Sequence, residues 1–152
     1  MHKTFKIAMI GMVAALMLPL AAHAQWWQRH PAYLHAMSDL RQAYWLVQHH
    51  EKHDPFGGNE ERTALKAIHE AYQALKDASI TDDKNIDDQP PADMTFGDHK
   101  GRLRQALQLL HDAHNEVARE EEDPAARGFR DDALAHIDKA AKATNAAMHS
   151  IF

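Results

Sequence analysis

The chain has 152 residues, with 17 Lys and Arg against 22 Asp and Glu and no cysteine. That length supports one domain with a real core, and the missing cysteines exclude thiol redox chemistry, disulfide stapling and covalently attached c-type haem. The formal charge of −5 argues against nucleic acid or an anionic membrane as partner, since both reward clustered Lys and Arg.

The first residues have the three parts of an export signal. Lys3 and Lys6 supply positive charge, Ile7 to Leu20 form an apolar run, and Ala22-His23-Ala24 closes it with an A-x-A cleavage pattern. The run of 14 residues is too short to cross a hydrocarbon layer of about 30 Å as a helix. No second such run follows, so no stable membrane anchor is expected. Residues 1–24 therefore read as a secretory signal cleaved near Ala24, and residues 25–152 as one periplasmic or secreted domain. Losing Lys3 and Lys6 leaves 15 basic residues against 22 acidic ones, a charge of −7, and losing His2 and His23 leaves 11 of the 13 histidines. Protonating all 11 would carry the charge to +4, and an ordinary imidazole titrates near pH 6.5.

The periodicity predicts four helices, near 31–53, 59–79, 98–121 and 124–150, and an all-α fold: a single-domain antiparallel up-down-up-down bundle. His30-Pro31 starts the first helix, because proline is pre-organised for the first helical position. Its stripe is Tyr33, Met37, Leu40, Tyr44 and Val47, widened by Leu34 and Leu46. Asp54-Pro55-Phe56-Gly57-Gly58 ends it. Asn59 is the expected N-cap of the second helix, whose stripe is Leu65, Ile68, Tyr72 and Leu75, with Ala64, Ala71 and Ala78 beside it. An acidic, proline-containing loop over 80–95 follows, expected to cross one end of the bundle. It lacks the register of a calcium loop and reads as a solvated connector. The third helix starts near Asp98 and carries Leu103, Leu107, Leu110 and Val117, with Gly101 as a weak point in its first turns. Asp123-Pro124 should open the fourth as cap and first residue. Its stripe is Phe129, Ala133, Ile137, Ala140, Thr144, Ala147 and Ile151, with Leu134 and Met148 alongside.

Histidine carries most of the candidate chemistry. His49 and His53 share a helix face four residues apart, beside His50, Glu51 and Asp54, and His111 and His114 stand three apart on the third helix. Both pairs are candidate metal ligands, with copper, zinc or nickel suited to imidazole and carboxylate donors. Histidines near a helix C-terminus also complement its dipole, and His69 and His136 beside core positions read equally well as half-buried structural residues. Glu-x-x-His occurs nowhere, which argues against di-iron carboxylate chemistry. Haem b, through Met37 with His136 or His149, is the weaker cofactor alternative, because a methionine at helical spacing is usually core. No enzyme is expected. Ser38, Ser79 and Ser150 are the mature serines, none in a nucleophile elbow, and His35 three residues before Ser38 lacks an oxyanion hole. Trp26-Trp27 ahead of the first helix would cover an end of the core or meet a partner, and Trp45 would fill a gap between helices.

The run His30-Pro31-Ala32-Tyr33-Leu34-His35-Ala36-Met37-Ser38-Asp39-Leu40-Arg41 resembles the opening of a group of small exported bacterial proteins without assigned function. Pro90-Pro91-Ala92-Asp93, Gly101-Arg102-Leu103, Glu121-Glu122-Asp123-Pro124, Arg127-Gly128 and His136-Ile137-Asp138 are similar to its later landmarks. The resemblance implies export and a helical fold, and brings no activity. It marks His30, His35, Asp39, Arg41, Arg127, His136 and Asp138 as a polar set to inspect.

The expectation is a non-enzymatic periplasmic binding or stress-response bundle whose histidines bind a transition metal ion. Two alternatives stand beside it. One is an acid-responsive chaperone or sensor, loosened when buried histidines gain protons. The other is a structural bundle whose partner is another envelope protein.

Overall fold

The computed structural model describes residues 32–49, 58–81, 83, 85–87, 98–119 and 124–150. The signal, Trp26, Trp27, His30, His50, His53 and most of the acidic loop lie outside them. The described residues form four helices: α1 (Ala32–Gln48), α2 (Asn59–Thr81), α3 (His99–Arg119) and α4 (Arg127–His149). No strand occurs among them, and no described helix is long and apolar enough to cross a membrane.

The core is built from alternating three- and four-residue steps. On α2 the buried positions are Glu61, Ala64, Ala67, Ile68, Ala71, Leu75, Ala78 and Ser79, so alanines make up half of the seam. Leu65 and Tyr72, expected at its centre, are only half-buried. On α3 the seam is Leu103, Ala106, Leu110, Ala113 and Val117, with Leu107 displaced to its edge. On α4 it is Ala133, Ile137, Ala140, Thr144 and Ala147, while Phe129 is 38% exposed. The large side chains come from α1, where Tyr33, Leu34, Met37, Leu40 and Leu46 are almost wholly buried. Small residues let α2 and α4 approach closely, and that pair shares the most extensive contact.

The helix contacts fix which ends meet. Met37, near the start of α1, receives a hydrogen bond at its Sδ from the Ser79 hydroxyl near the end of α2, 3.9 Å away. Arg130 in the first turn of α4 donates to the Val117 and Ala118 carbonyls at the end of α3, at 3.3 and 3.4 Å. Asn59, Glu60 and Thr63 from the start of α2 share a cleft with Lys142 and Ala143 near the end of α4. His99, the first residue of α3, meets Glu61 in the first turn of α2. So α2 and α3 begin at the same end, and they lie diagonally, as do α1 and α4. This corrects the up-down-up-down order, in which α3 would begin where α2 ends. Thr81 and His99 stand at opposite ends of the helices, about 30 Å apart for helices of this length.

Three helix ends differ from expectation. Asn59 is the first residue of α2 rather than a backbone cap. Its side-chain oxygen accepts from the Arg62 guanidinium, while its carbonyl takes the Thr63 hydroxyl at 2.8 Å. Pro124 does not begin α4. Residues 124–126 form a turn, and the helix opens at Arg127 behind Ala126, which has no side-chain cap but is completely buried. Burial of Ala126 and the Arg130 bonds to α3 fix this entry instead. The first helix stops at Gln48 instead of running to 53, although His49 still donates its N–H to the Trp45 carbonyl at 3.0 Å. Asp98 does cap α3, accepting the Gly101 N–H at 2.7 Å. A Cβ on Gly101 would lie 2.5 Å from that carboxylate oxygen, so the glycine is what lets the cap close.

Candidate functional site

Beside the Ser79 and Arg130 contacts, imidazoles face carboxylates across helices at His99, His136 and His114. His99 Nε2 lies 2.7 Å from Glu61 Oε1, with side chains only 16% and 5% exposed. His136 Nδ1 lies 3.2 Å from Glu70 Oε2 across α4 and α2. His114 Nε2 lies 3.5 Å from Asp138 Oδ1 across α3 and α4. Lys139 stands 3.9 Å from the same Glu70 oxygen and Lys66 3.7 Å from its other oxygen, so Glu70 gathers three cationic or protonatable groups. On α3, three residues after His99, Arg102 is 3% exposed, and Thr144 is fully buried on α4. The end where α2 and α3 begin therefore has a polar interior.

The α1/α3 seam has the opposite chemistry. Asp39 is half-buried and its carboxyl is pushed up from the usual 3.8 to about 6, first by burial and then by the negative charge of Asp112. Asp112 also takes bonds from the Gln108 amide at 3.1 and 3.3 Å. One turn before Asp39, His35 is 7% exposed. The register that sets Asp39 against Asp112 puts His35 level with Glu116, one turn further along α3.

The expected metal ligands are not assembled by the described residues. His49 is exposed and stacks on Trp45, ring centroids 4.1 Å apart, and its partner His53 lies outside the described residues. His111 is exposed, whereas His114 turns to Asp138. Among the described residues no three His, Asp or Glu side chains gather to hold a metal ion. The haem pairing is not formed either. Met37 is fully buried against Ser79, His136 faces Glu70, and His149 ends α4 and is exposed.

The polar set marked by the resemblance is spread over several faces. His35 and Asp39 sit along the α1/α3 seam, His136 between α4 and α2, and Asp138 between α4 and α3. Arg41 is exposed on the rim of a groove between α1 and α2, and Arg127 is exposed at the start of α4. His30 lies outside the described residues.

Glu61, Glu70, His99, Asp112 and Arg130 carry the helix-to-helix polar contacts and were not singled out from the sequence. Two of them are readable by extending a stripe. Glu61 precedes Ala64 by three, and His99 precedes Leu103 by four, so each falls on its helix's core face. Glu70 and Asp112 lie off the stripes, and only the helix pairing reveals them.

Compared with known protein families, curated proteins and solved structures, the chain matches none of them.

Proposed function

We propose that this protein is an exported, non-catalytic stress-response bundle that tightens in mild acid. In this reading the signal is cleaved near Ala24, and the mature chain is an antiparallel bundle of up-down-down-up order. The observation that carries it is the Asp39 carboxyl, half-buried in the α1/α3 seam against the charge of Asp112. His99, His136 and His114 face carboxylates on other helices instead of apolar groups, so a charge on any of them would meet a counter-charge.

The direction follows from Asp39. Its folded carboxyl holds a proton up to about pH 6, against 3.8 ordinarily. Above pH 6 it is charged in both states, and the folded state carries the cost of burying that charge and then the repulsion from Asp112. As pH falls from about 6 towards 4, the folded chain binds a proton that the unfolded chain does not, so stability rises. Once the unfolded group is protonated too, the gain is complete. The gain amounts to about 1–2 kcal/mol, since solvent reaching the half-buried carboxylate screens part of the repulsion.

This direction is the reverse of the loosening expected from a histidine-rich core. A switch that opens apolar seams needs imidazoles packed against apolar groups, whereas these three face acids. Thermal unfolding of the mature chain at pH 7 and pH 5 tests the reading. A higher midpoint at pH 5 is expected, and a lower one would remove it.

A further inference from the structure

Between α1 and α2 lies an open groove of about 340 Å³, within the range of small-molecule sites. Its floor is Leu40 and Ile68, both essentially buried, and Tyr44 and Tyr72 stand half-buried along it. The register that brings Met37 to Ser79 sets Tyr44 level with Tyr72, so the two phenol rings flank the middle of the groove. Arg41 lies one turn to one side of that pair, and His69 one turn to the other.

The charge of the lining is unlike that of the chain. The protein has a net charge of −5, yet none of the residues lining this groove is acidic, and Arg41 gives it a fixed positive charge. The cleft between α2 and α4 makes the contrast, with Glu60 and Asp138 beside Lys139 and Lys142 over an alanine floor. Apolar floor, aromatic sides and a cation at the rim make one combination. It suits a flat apolar body that carries an anionic group, the body against Leu40, Ile68 and the tyrosines and the anion at Arg41.

We infer that the α1/α2 groove binds a small amphipathic anion, an aromatic or long-chain carboxylate or sulfonate, with Arg41 as its charge-reading residue. This site is independent of the acid response, because none of its residues takes part in the three imidazole–carboxylate pairs.

Fluorescence titration of the mature protein with 8-anilinonaphthalene-1-sulfonate tests it, with uncharged N-phenyl-1-naphthylamine as comparison. Saturable one-to-one binding of the sulfonate is expected, about tenfold tighter than the uncharged probe, which is the weight of one charge-assisted contact. Arg41→Gln should remove that preference while leaving the uncharged probe's affinity unchanged. Lys142→Gln, in the other cleft, should alter neither. Unchanged affinity for the uncharged probe in Arg41→Gln shows that the groove is still folded and excludes misfolding as the cause. Equal affinity of the parent for the two probes, or a preference that survives Arg41→Gln, would overturn the site. So would a dimer that forms on concentration and closes the groove to both probes.

Discussion

The α1/α3 and α2/α4 seams solve the same packing problem with opposite means. Along α1/α3, large side chains fill the core and the polar layer sets Asp39 against Asp112, like against like. Along α2/α4, alanines bring the backbones close and Glu70 meets His136 and Lys139, unlike against unlike. At neutral pH the first seam is strained electrostatically and the second is not. A proton on Asp39 relieves the first seam of a buried charge and of its repulsion with Asp112, while the second seam already sets opposite charges together. The proposed acid response therefore follows from how charges are paired and not from the number of histidines.

The largest expected effect separates the seams by size. Ala71→Leu places three extra carbon atoms at a fully buried position of α2. It should cost about 1–3 kcal/mol in urea unfolding, as overpacking does where backbones are already close. A neutral outcome would mean that the alanines are not what sets the α2/α4 spacing.

Next comes Asp39→Asn, which keeps the shape of the side chain and removes its charge. It should raise stability at pH 7.5 by about 1–2 kcal/mol, and the gain should shrink as pH falls through about 6, measured by urea unfolding at a series of pH values. A loss at pH 7.5 would show that the Asp39 charge is stabilising. Smallest is Glu70→Gln. Its partners are partly exposed, so its cost in urea unfolding at pH 7.5 should be about 0.5 kcal/mol, from the contacts of Glu70 with Lys66, Lys139 and His136. A gain in stability would contradict the pairing.

Much of the fold is legible in the sequence, because a stripe of apolar residues at helical spacing has few other interpretations. The second, third and fourth helices begin or end within a few residues of their caps and breakers, and Asp98 caps as its position suggests. The order of the helices is not legible. Each helix has one seam, and nothing in Ala64, Leu110 or Ile137 says which neighbour it meets. Up-down-up-down and the order with α2 and α3 starting together bury the same residues. The contact of His99 with Glu61 distinguishes them. The candidate site is legible only by halves for the same reason. His114 and His136 stand out as histidines beside the core, but Asp138 and Glu70 become their partners only once α4 is laid against α3 and α2. Pro124 misleads because burial of Ala126 and the Arg130 bonds outweigh a local preference for proline at the first helical position.

The most direct test of the central claim is the unfolding free energy of the mature chain in urea at pH 7 and at pH 5, at one ionic strength. The account predicts that stability rises by about 1 kcal/mol or more at pH 5, with an unchanged urea slope. A fall in stability between those two values would contradict it and return the bundle to one that acid opens.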